Sequence, residues 1–215
     1  MDIAGFAAGP YKTNTYVAIN GGEAFVVDPG MHTHDRTVEY LQQENATLQA
    51  VLLTHGHLDH TRDAGSLATQ FNVPVYIHPD DEFMLSGGEG VSDHTKLLFD
   101  AANMTPIRKL RYFEDNTTIT IAGISLEVKH APGHSPGSVL LIDERFVFSG
   151  DVLFRGTIGR TDLQHSDPKA MDRSLAGPVW SLDDNLAVLP GHGPTTSMRM
   201  ERTSNPYLRM AHDNR

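Results

Sequence analysis

The segment Thr54-His55-Gly56-His57-Leu58-Asp59-His60 places three histidines and one aspartate in a single short loop. Imidazole nitrogens and carboxylate oxygens are the donors of nitrogen-and-oxygen metal sites, and a loop this short aims them at one small volume. His55 and His57 project the same way from an extended segment, whereas Asp59 and His60 open the helix that follows. One tetrahedral ion holding all four would be cramped, and two ions fit better. Further donors stand in three glycine-flanked segments, Pro132-Gly133-His134-Ser135-Pro136-Gly137, Ser149-Gly150-Asp151 and Leu189-Pro190-Gly191-His192-Gly193-Pro194. Each follows a run of strand-forming residues and sits where the backbone can turn sharply. Together they offer two more imidazoles and a carboxylate able to bridge.

Composition narrows the chemistry. The 215 residues include 12 His and no Cys, so disulfides, a thiol nucleophile, iron-sulfur clusters and thiolate zinc sites are excluded. With 17 Lys+Arg against 27 Asp+Glu the net charge is −10, which argues against an extended surface for nucleic acid or an anionic membrane. The length predicts one domain over residues 1–215. Met1-Asp2-Ile3 is acidic, the first basic residue is Lys12, and no apolar run approaches a membrane span. No export signal is expected, and the expected compartment is the cytoplasm. Oligomeric state has no signature in the sequence.

The donors need elements to hold them. Residues 3–8, 15–19 and 24–27 alternate strand formers with the turns Gly21-Gly22 and Asp28-Pro29-Gly30, and predict a meander. Residues 33–44 predict a helix with Val38 and Leu41 apolar. Residues 50–53 read as a buried strand feeding the histidine loop, and 61–71 as the helix after it, with Ala64, Leu67, Ala68 and Phe71 on one face. A strand over 73–77 completes the first half. Strands over 117–121, 125–129, 139–142 and 146–148 then precede a helix opening at Asp167-Pro168, a strand over 186–189, and a helical tail from Met198. Between the halves, residues 86–106 carry Gly87, Gly88 and Gly90 and a short helix around 96–102, and predict a lid or insertion. Two strand-then-helix halves of similar length predict two sheets face to face, with helices on both outer faces.

The HxHxDH cluster, followed by Gly-His, Gly-Asp and Gly-His, resembles the metallo-β-lactamase fold superfamily over about residues 28–192. The resemblance implies an α+β, four-layer αββα sandwich with His55, His57 and His134 on a first metal ion, Asp59, His60 and His192 on a second, and Asp151 as the bridge. It matches Asp28 to a supporting carboxylate beneath the metal loop, a simple turn aspartate being the alternative. Gly150-Asp151-Val152-Leu153-Phe154 with Gly159-Arg160-Thr161-Asp162 is similar to the glyoxalase II group, the hydroxyacylglutathione hydrolases. The segment around His192, with Asn205-Pro206-Tyr207-Leu208, resembles the short single-domain members of that group. This implies hydrolysis of a small-molecule thioester such as S-lactoylglutathione, with Asp59 orienting the nucleophilic water and Arg160 contacting the glutathione moiety. For Arg160, a plain pair with Asp162 is the alternative. Longer members carry a helical C-terminal domain. Here Arg199, Arg202 and Arg209 follow His192, and either fold over the site or line a solvated helix face.

Two divalent ions, zinc first with iron or manganese as alternatives, would lower the pKa of a bound water from about 16 toward 7 without any Ser, Cys or Lys nucleophile. A mononuclear iron persulfide dioxygenase using His55, His134 and Asp151 is the rival on the same fold. The setting of His192 favours hydrolysis. The remaining histidines, His32, His34, His78, His94, His130, His165 and His212, are expected on the surface or in loops, with His130 placed to support His134.

Overall fold

The computed structural model describes residues 1–214. β1 (Asp2–Ala8), β2 (Thr13–Asn20) and β3 (Glu23–Val27) form the antiparallel meander. Helix α1 (His34–Gln43) crosses over to β4 (Thr47–Leu52), which lies parallel to β3. After α2 (Leu58–Thr61) and α3 (Ala64–Phe71), β5 (Val75–Ile77) continues the parallel run. A turn over Pro79–Leu85 and α4 (Asp93–Leu98) lead to β6 (Leu110–Tyr112), which completes a six-stranded sheet in chain order.

The second sheet takes β7 (Thr117–Ile121), β8 (Ile124–His130), β9 (Val139–Ile142) and β10 (Phe146–Gly150) as an antiparallel run. The small hairpin of β11 (Leu153–Phe154) and β12 (Thr157–Ile158) and helix α5 (Pro168–Ser174) come next. β13 (Ala187–Pro190) then pairs parallel to β10, and β14 (Thr196–Ser197) closes the edge. Helices α6 (Met198–Ser204) and α7 (Pro206–Asp213) end the described chain.

Strand alternation explains the layering. Along β2, Tyr16 and Ala18 face the second sheet, packing with Phe25, Leu126, Leu141 and Phe148, whereas Val17 and Ile19 face α1 and α3 with Leu41 and Leu67. On the far side, Leu140, Val147 and Val188 meet Met171 and Leu175 near α5, and Leu208 on α7. The central strands β2, β3, β4, β9 and β10 are largely buried on both faces, which is why they read as nearly continuous apolar runs. The order is helix, sheet, sheet, helix, as the sequence predicts. Each fully buried Phe or Leu contributes about 1.5–3 kcal/mol of burial free energy, and Phe25 and Phe148 meet edge to face between the sheets.

The structure differs from the sequence expectation in four respects. The helix expected over 61–71 is split at Arg62 and Asp63 into α2 and α3. The break is useful, because the Asp63 carboxylate accepts hydrogen bonds from Thr33 N and His34 N at 2.9 and 3.1 Å and caps α1, whose own Thr33 makes no side-chain cap. α5 runs on into a wider π-type turn over Leu175–Val179, where Pro178 has no N–H to donate. The short helix expected around 96–102 begins earlier, at Asp93, because the Ser92 side chain caps it. β6, β11, β12 and β14 span two or three residues each, too short to show a period.

Candidate metal centre

The loops that carry the seven predicted donors leave the C-terminal ends of β4, β8, β10 and β13, and Asp28 follows β3. Strand directions put all these ends on one rim of the sandwich. There the structure brings all seven together. Donor atoms of His55, His57 and His134 lie within 4.8 Å of one another, as do those of Asp59, His60 and His192. Asp151 reaches both groups, with Oδ1 at 3.4 Å from His60 Nε2 and Oδ2 at 3.4 Å from His134 Nε2 and 3.5 Å from His192 Nε2.

Four of the five imidazoles have their outer nitrogen held, which aims the other inward. His55 Nδ1 meets Thr54 Oγ1 at 3.1 Å, His60 Nδ1 meets Asp28 Oδ2 at 3.0 Å, His134 Nδ1 meets the Arg160 carbonyl at 2.9 Å, and His192 Nδ1 meets the Tyr11 carbonyl at 3.1 Å. This is the arrangement that fixes tautomer and ring orientation in metal-binding histidines. The inward nitrogens then crowd one another: His57 Nδ1 and His134 Nε2 stand 2.8 Å apart, and His60 Nε2 and His192 Nε2 3.2 Å apart. His55 Nε2, His57 Nε2 and Asp151 Oδ1 are buried with no hydrogen-bond partner. Buried donors and acceptors are rarely left unpaired, and converging nitrogens beside carboxylates fit divalent cations. Gly191 makes room for this, since a Cβ there would lie 2.2 Å from Asp151 Oδ1 and 2.6 Å from His60 Cε1.

The protonation states divide the two groups. Burial pulls His55 well below its ordinary value, with His60 and His134 adding to the effect, and burial followed by His134 lowers His57 to about 3. Both are neutral at pH 7, as ligands must be. Burial also opposes charge on His60, but the nearby carboxylates of Asp151 and Asp59 and the hydrogen bond to Asp28 reverse it and raise the pKa well above normal. His192 is raised too, by Asp59 and Asp151 acting against burial. Burial raises Asp59 and Asp151, and the surrounding imidazoles outweigh it, so both carboxyls end below their usual range.

Several positioning residues carry no sequence signal. Thr13 Oγ1 donates to Asp59 Oδ2 at 2.9 Å. Asn14 N donates to the Gly191 carbonyl and its side chain to the Pro190 carbonyl, stitching the His192 loop to β2. Asp28 is the supporting carboxylate and not a simple turn residue: Oδ1 accepts from Thr54 N at 2.7 Å and Oδ2 from Thr54 Oγ1 at 2.6 Å as well as from His60. His78 departs from expectation by being buried, with its ring stacked on His130 at 4.1 Å. The two planes are 6° apart, so the ring nitrogens of the pair lie in separate parallel planes, and with Asp80 they bring donor atoms within 4.8 Å of one another. His130 Nε2 donates to the Pro136 carbonyl and so steadies the His134 loop, as predicted.

A cavity of ≈ 900 Å³ opens over the donors, walled by Tyr11, Val91, Phe154, Ile158 and Leu163, with Arg160 and Asp162 on its margin. The Arg160 guanidinium is paired with Asp162 through Nε and Nη2 at 2.9 and 3.0 Å, and both side chains are exposed. Gly90, Val91, Ser92, His94 and Thr95 of the expected lid line the same cavity, where Tyr11 Oη and Thr95 Oγ1 meet at 3.1 Å. Arg199, Arg202 and Arg209 do not line it. Arg202 is instead bonded to Asp184 and to the carbonyls of Trp180 and Leu182, and Arg199 to Asn185, fixing the tail to the outer layer.

Comparison with known proteins agrees with this geometry, for residues 8–192 match the metallo-beta-lactamase superfamily. The chain belongs to that superfamily. An uncharacterized protein of Mycobacterium tuberculosis is 38% identical over 97% of this chain and 98% of its own length. Hydroxyacylglutathione hydrolase GloC of Haemophilus influenzae is 32% identical over 86% of this chain and 87% of its own. Among solved structures, BLEG-1 B3 metallo-beta-lactamase superposes with a TM-score of 0.86 at 34% identity, covering 96% of this chain and 99% of that one. TTHA1623, solved in a di-iron-bound form, superposes at 0.81 with 35% identity, covering 95% and 99%. The two-sheet fold and a metallo-hydrolase type of site are therefore shared. Among the described residues no helix is long and apolar enough to cross a membrane.

Proposed function

We propose that this superfamily member is a binuclear metal-dependent thioester hydrolase acting on S-acylglutathione or a related thiol ester. The observation that carries the reading is the inward aim of two donor groups joined by Asp151, beneath a cavity with an apolar wall. His55, His57 and His134 would hold one ion and Asp59, His60 and His192 the other. Such ions supply hydroxide at neutral pH and polarise a carbonyl.

The chain's own residues do the rest. Asp59 lines the cavity and is held ionised, so it accepts a hydrogen bond from the attacking water and orients it. Thr13 fixes that carboxylate. Phe154, Ile158, Leu163 and Val91 offer the acyl part a dry wall, and Arg160 on the margin is the proposed contact for the polar thiol part. As the C–S bond breaks, a thiol of ordinary pKa near about 8.5 departs as thiolate, so no general acid is required. The identity to GloC over nearly the whole of both chains supports glutathione as the thiol carrier.

Elemental analysis beside an S-lactoylglutathione assay tests this. The expected result is two divalent ions per chain, and hydrolysis abolished in His192→Ala. One tightly held iron, oxygen consumption on a persulfide and indifference to His192→Ala would replace the proposal with a persulfide dioxygenase. β-Lactam hydrolysis without thioesterase activity would overturn the substrate class.

A further inference from the structure

Asp81 belongs to neither donor group, yet it is fully buried directly behind one of them. Its Oδ2 accepts from Gly56 N at 2.8 Å and from Ser135 Oγ at 2.6 Å, and its Oδ1 accepts from Gly137 N at 2.6 Å. Gly56 is the residue between His55 and His57, and Ser135 follows His134. One carboxylate therefore fastens the two loops that carry all three histidines of a single group. The backbone is shaped to admit it: a Cβ on Gly137 would lie 2.7 Å from Asp81 Cγ, and a Cβ on Gly56 2.8 Å from the Asp81 carbonyl oxygen. His78 and the Pro79–Leu85 turn deliver Asp81 to this position from the end of β5.

The other group has its own buried carboxylate. Asp28 holds His60 directly and Thr54 beneath the loop, while Asp81 bonds to nothing on Asp59, His60 or His192. Burying an ionised carboxylate is costly unless its lone pairs are filled, and here each is aimed at a group whose place determines where an imidazole points. The Gly56 bond sets the peptide between His55 and His57, and the Ser135 and Gly137 bonds set the turn that brings His134 Nε2 within 2.8 Å of His57 Nδ1.

We infer that Asp81 is a positioning residue for the ion site of His55, His57 and His134, setting its affinity independently of the site that Asp28 supports. The inference rests on the two-ion reading above. Asp81→Asn keeps the shape but turns one acceptor into an NH2 facing a donor. It is placed in two backgrounds, His192→Ala, which keeps the Asp81-supported site, and His134→Ala, which keeps the other. Zinc affinity is measured in each by competition with a chromophoric chelator, and the visible spectrum of the cobalt-loaded proteins is recorded.

In the His192→Ala background, zinc affinity falls about 10–100-fold and the cobalt spectrum changes; in the His134→Ala background the change is within about 3-fold and the spectrum is kept. Equal losses in both backgrounds, or loss in neither, would overturn the inference. Should Asp81→Asn fail to fold, Ser135→Ala removes one of the three bonds and gives the same site-selective pattern at about 3–10-fold. A Ser135→Ala protein without that selectivity also overturns it. If the unsubstituted chain binds fewer than two zinc ions, the two-ion reading itself falls and takes this inference with it.

Discussion

Asp28→Asn isolates what a carboxylate behind a metal ligand does. Asp28 has φ 50°, in the left-handed region, which Asn tolerates as Asp does, so the substitution adds no backbone strain. The amide oxygen still accepts from Thr54 N, and the new NH2 replaces the oxygen that received Thr54 Oγ1 and His60 Nδ1. Thr54 Oγ1 adapts by rotating its hydroxyl. His60 cannot, because Nδ1–H would face N–H. The ring relieves this by moving its proton to Nε2, the atom that faces His192, Asp59 and Asp151.

A ligand nitrogen that carries a proton cannot bind an ion, so the His60 site should weaken about 10–100-fold, equivalent to about 1.4–2.7 kcal/mol. Without metal, the lost bond to a charged acceptor is worth about 1.5–3 kcal/mol, or a fall in Tm of about 3–12 °C at this chain length. Chelator competition gives the first number and thermal melting of the metal-free protein the second. Two-ion affinity equal to that of the parent, with Tm unchanged, would refute the reasoning. Loss confined to the His134 site would refute it too, because Asp28 bonds His60 directly and reaches the His134 group only through Thr54, whose Oγ1 meets His55 Nδ1.

Four further outcomes are expected. Gly191→Ala pushes a methyl to 2.2 Å from Asp151 Oδ1, so bound metal falls below two ions by elemental analysis while far-UV circular dichroism stays the same; full metal occupancy would contradict the close packing seen. In the metal-free protein His60 and His192 keep protons to above their ordinary pKa of about 6.5, whereas His57, lowered to about 3, is already neutral. Zinc addition at pH 7 therefore releases protons from the His60 site and affinity there rises with pH, which a pH-indicator titration reads; absence of proton release would contradict the assignment. The same shifts govern metal-free stability. His60 stabilises fully below about pH 6.5 and loses this as pH rises through its raised value, while His57 makes stability fall as pH drops from about 6.5 to about 3, because the unfolded chain takes the proton first. Arg160→Ala raises KM for S-lactoylglutathione about 5-fold or more, in line with a charged contact worth about a factor of ten, and leaves Tm in place because its pair with Asp162 is exposed; an unchanged KM would remove Arg160 from the substrate contacts.

Much of the site was legible because its donors are rare residue types at fixed spacing on strand-end loops. His55, His57, Asp59 and His60 are local to one another, so the loop alone brings them near. The apolar periods of β2, β4, α1 and α3 likewise came from neighbours along the chain, and so did the two-half layering. The misses share a cause. The split at Asp63 follows from its bond to Thr33 and His34, residues outside the helix it interrupts. β6 and β14 exist because a partner strand is already present to receive two or three residues.

By itself, the sequence determined which atoms could bind a cation and excluded thiolate ligands, since donor chemistry belongs to residue type. Only the tertiary structure decided how those atoms are aimed. The partners that orient them are the Tyr11 and Arg160 carbonyls, the Thr13 hydroxyl and the buried carboxylates of Asp28 and Asp81. Every residue has a carbonyl, and threonine and aspartate are common. What gives these particular ones a role is closure of two sheets that brings distant loops to one rim, where burial makes each unpaired polar atom expensive and each fixed hydrogen bond directional.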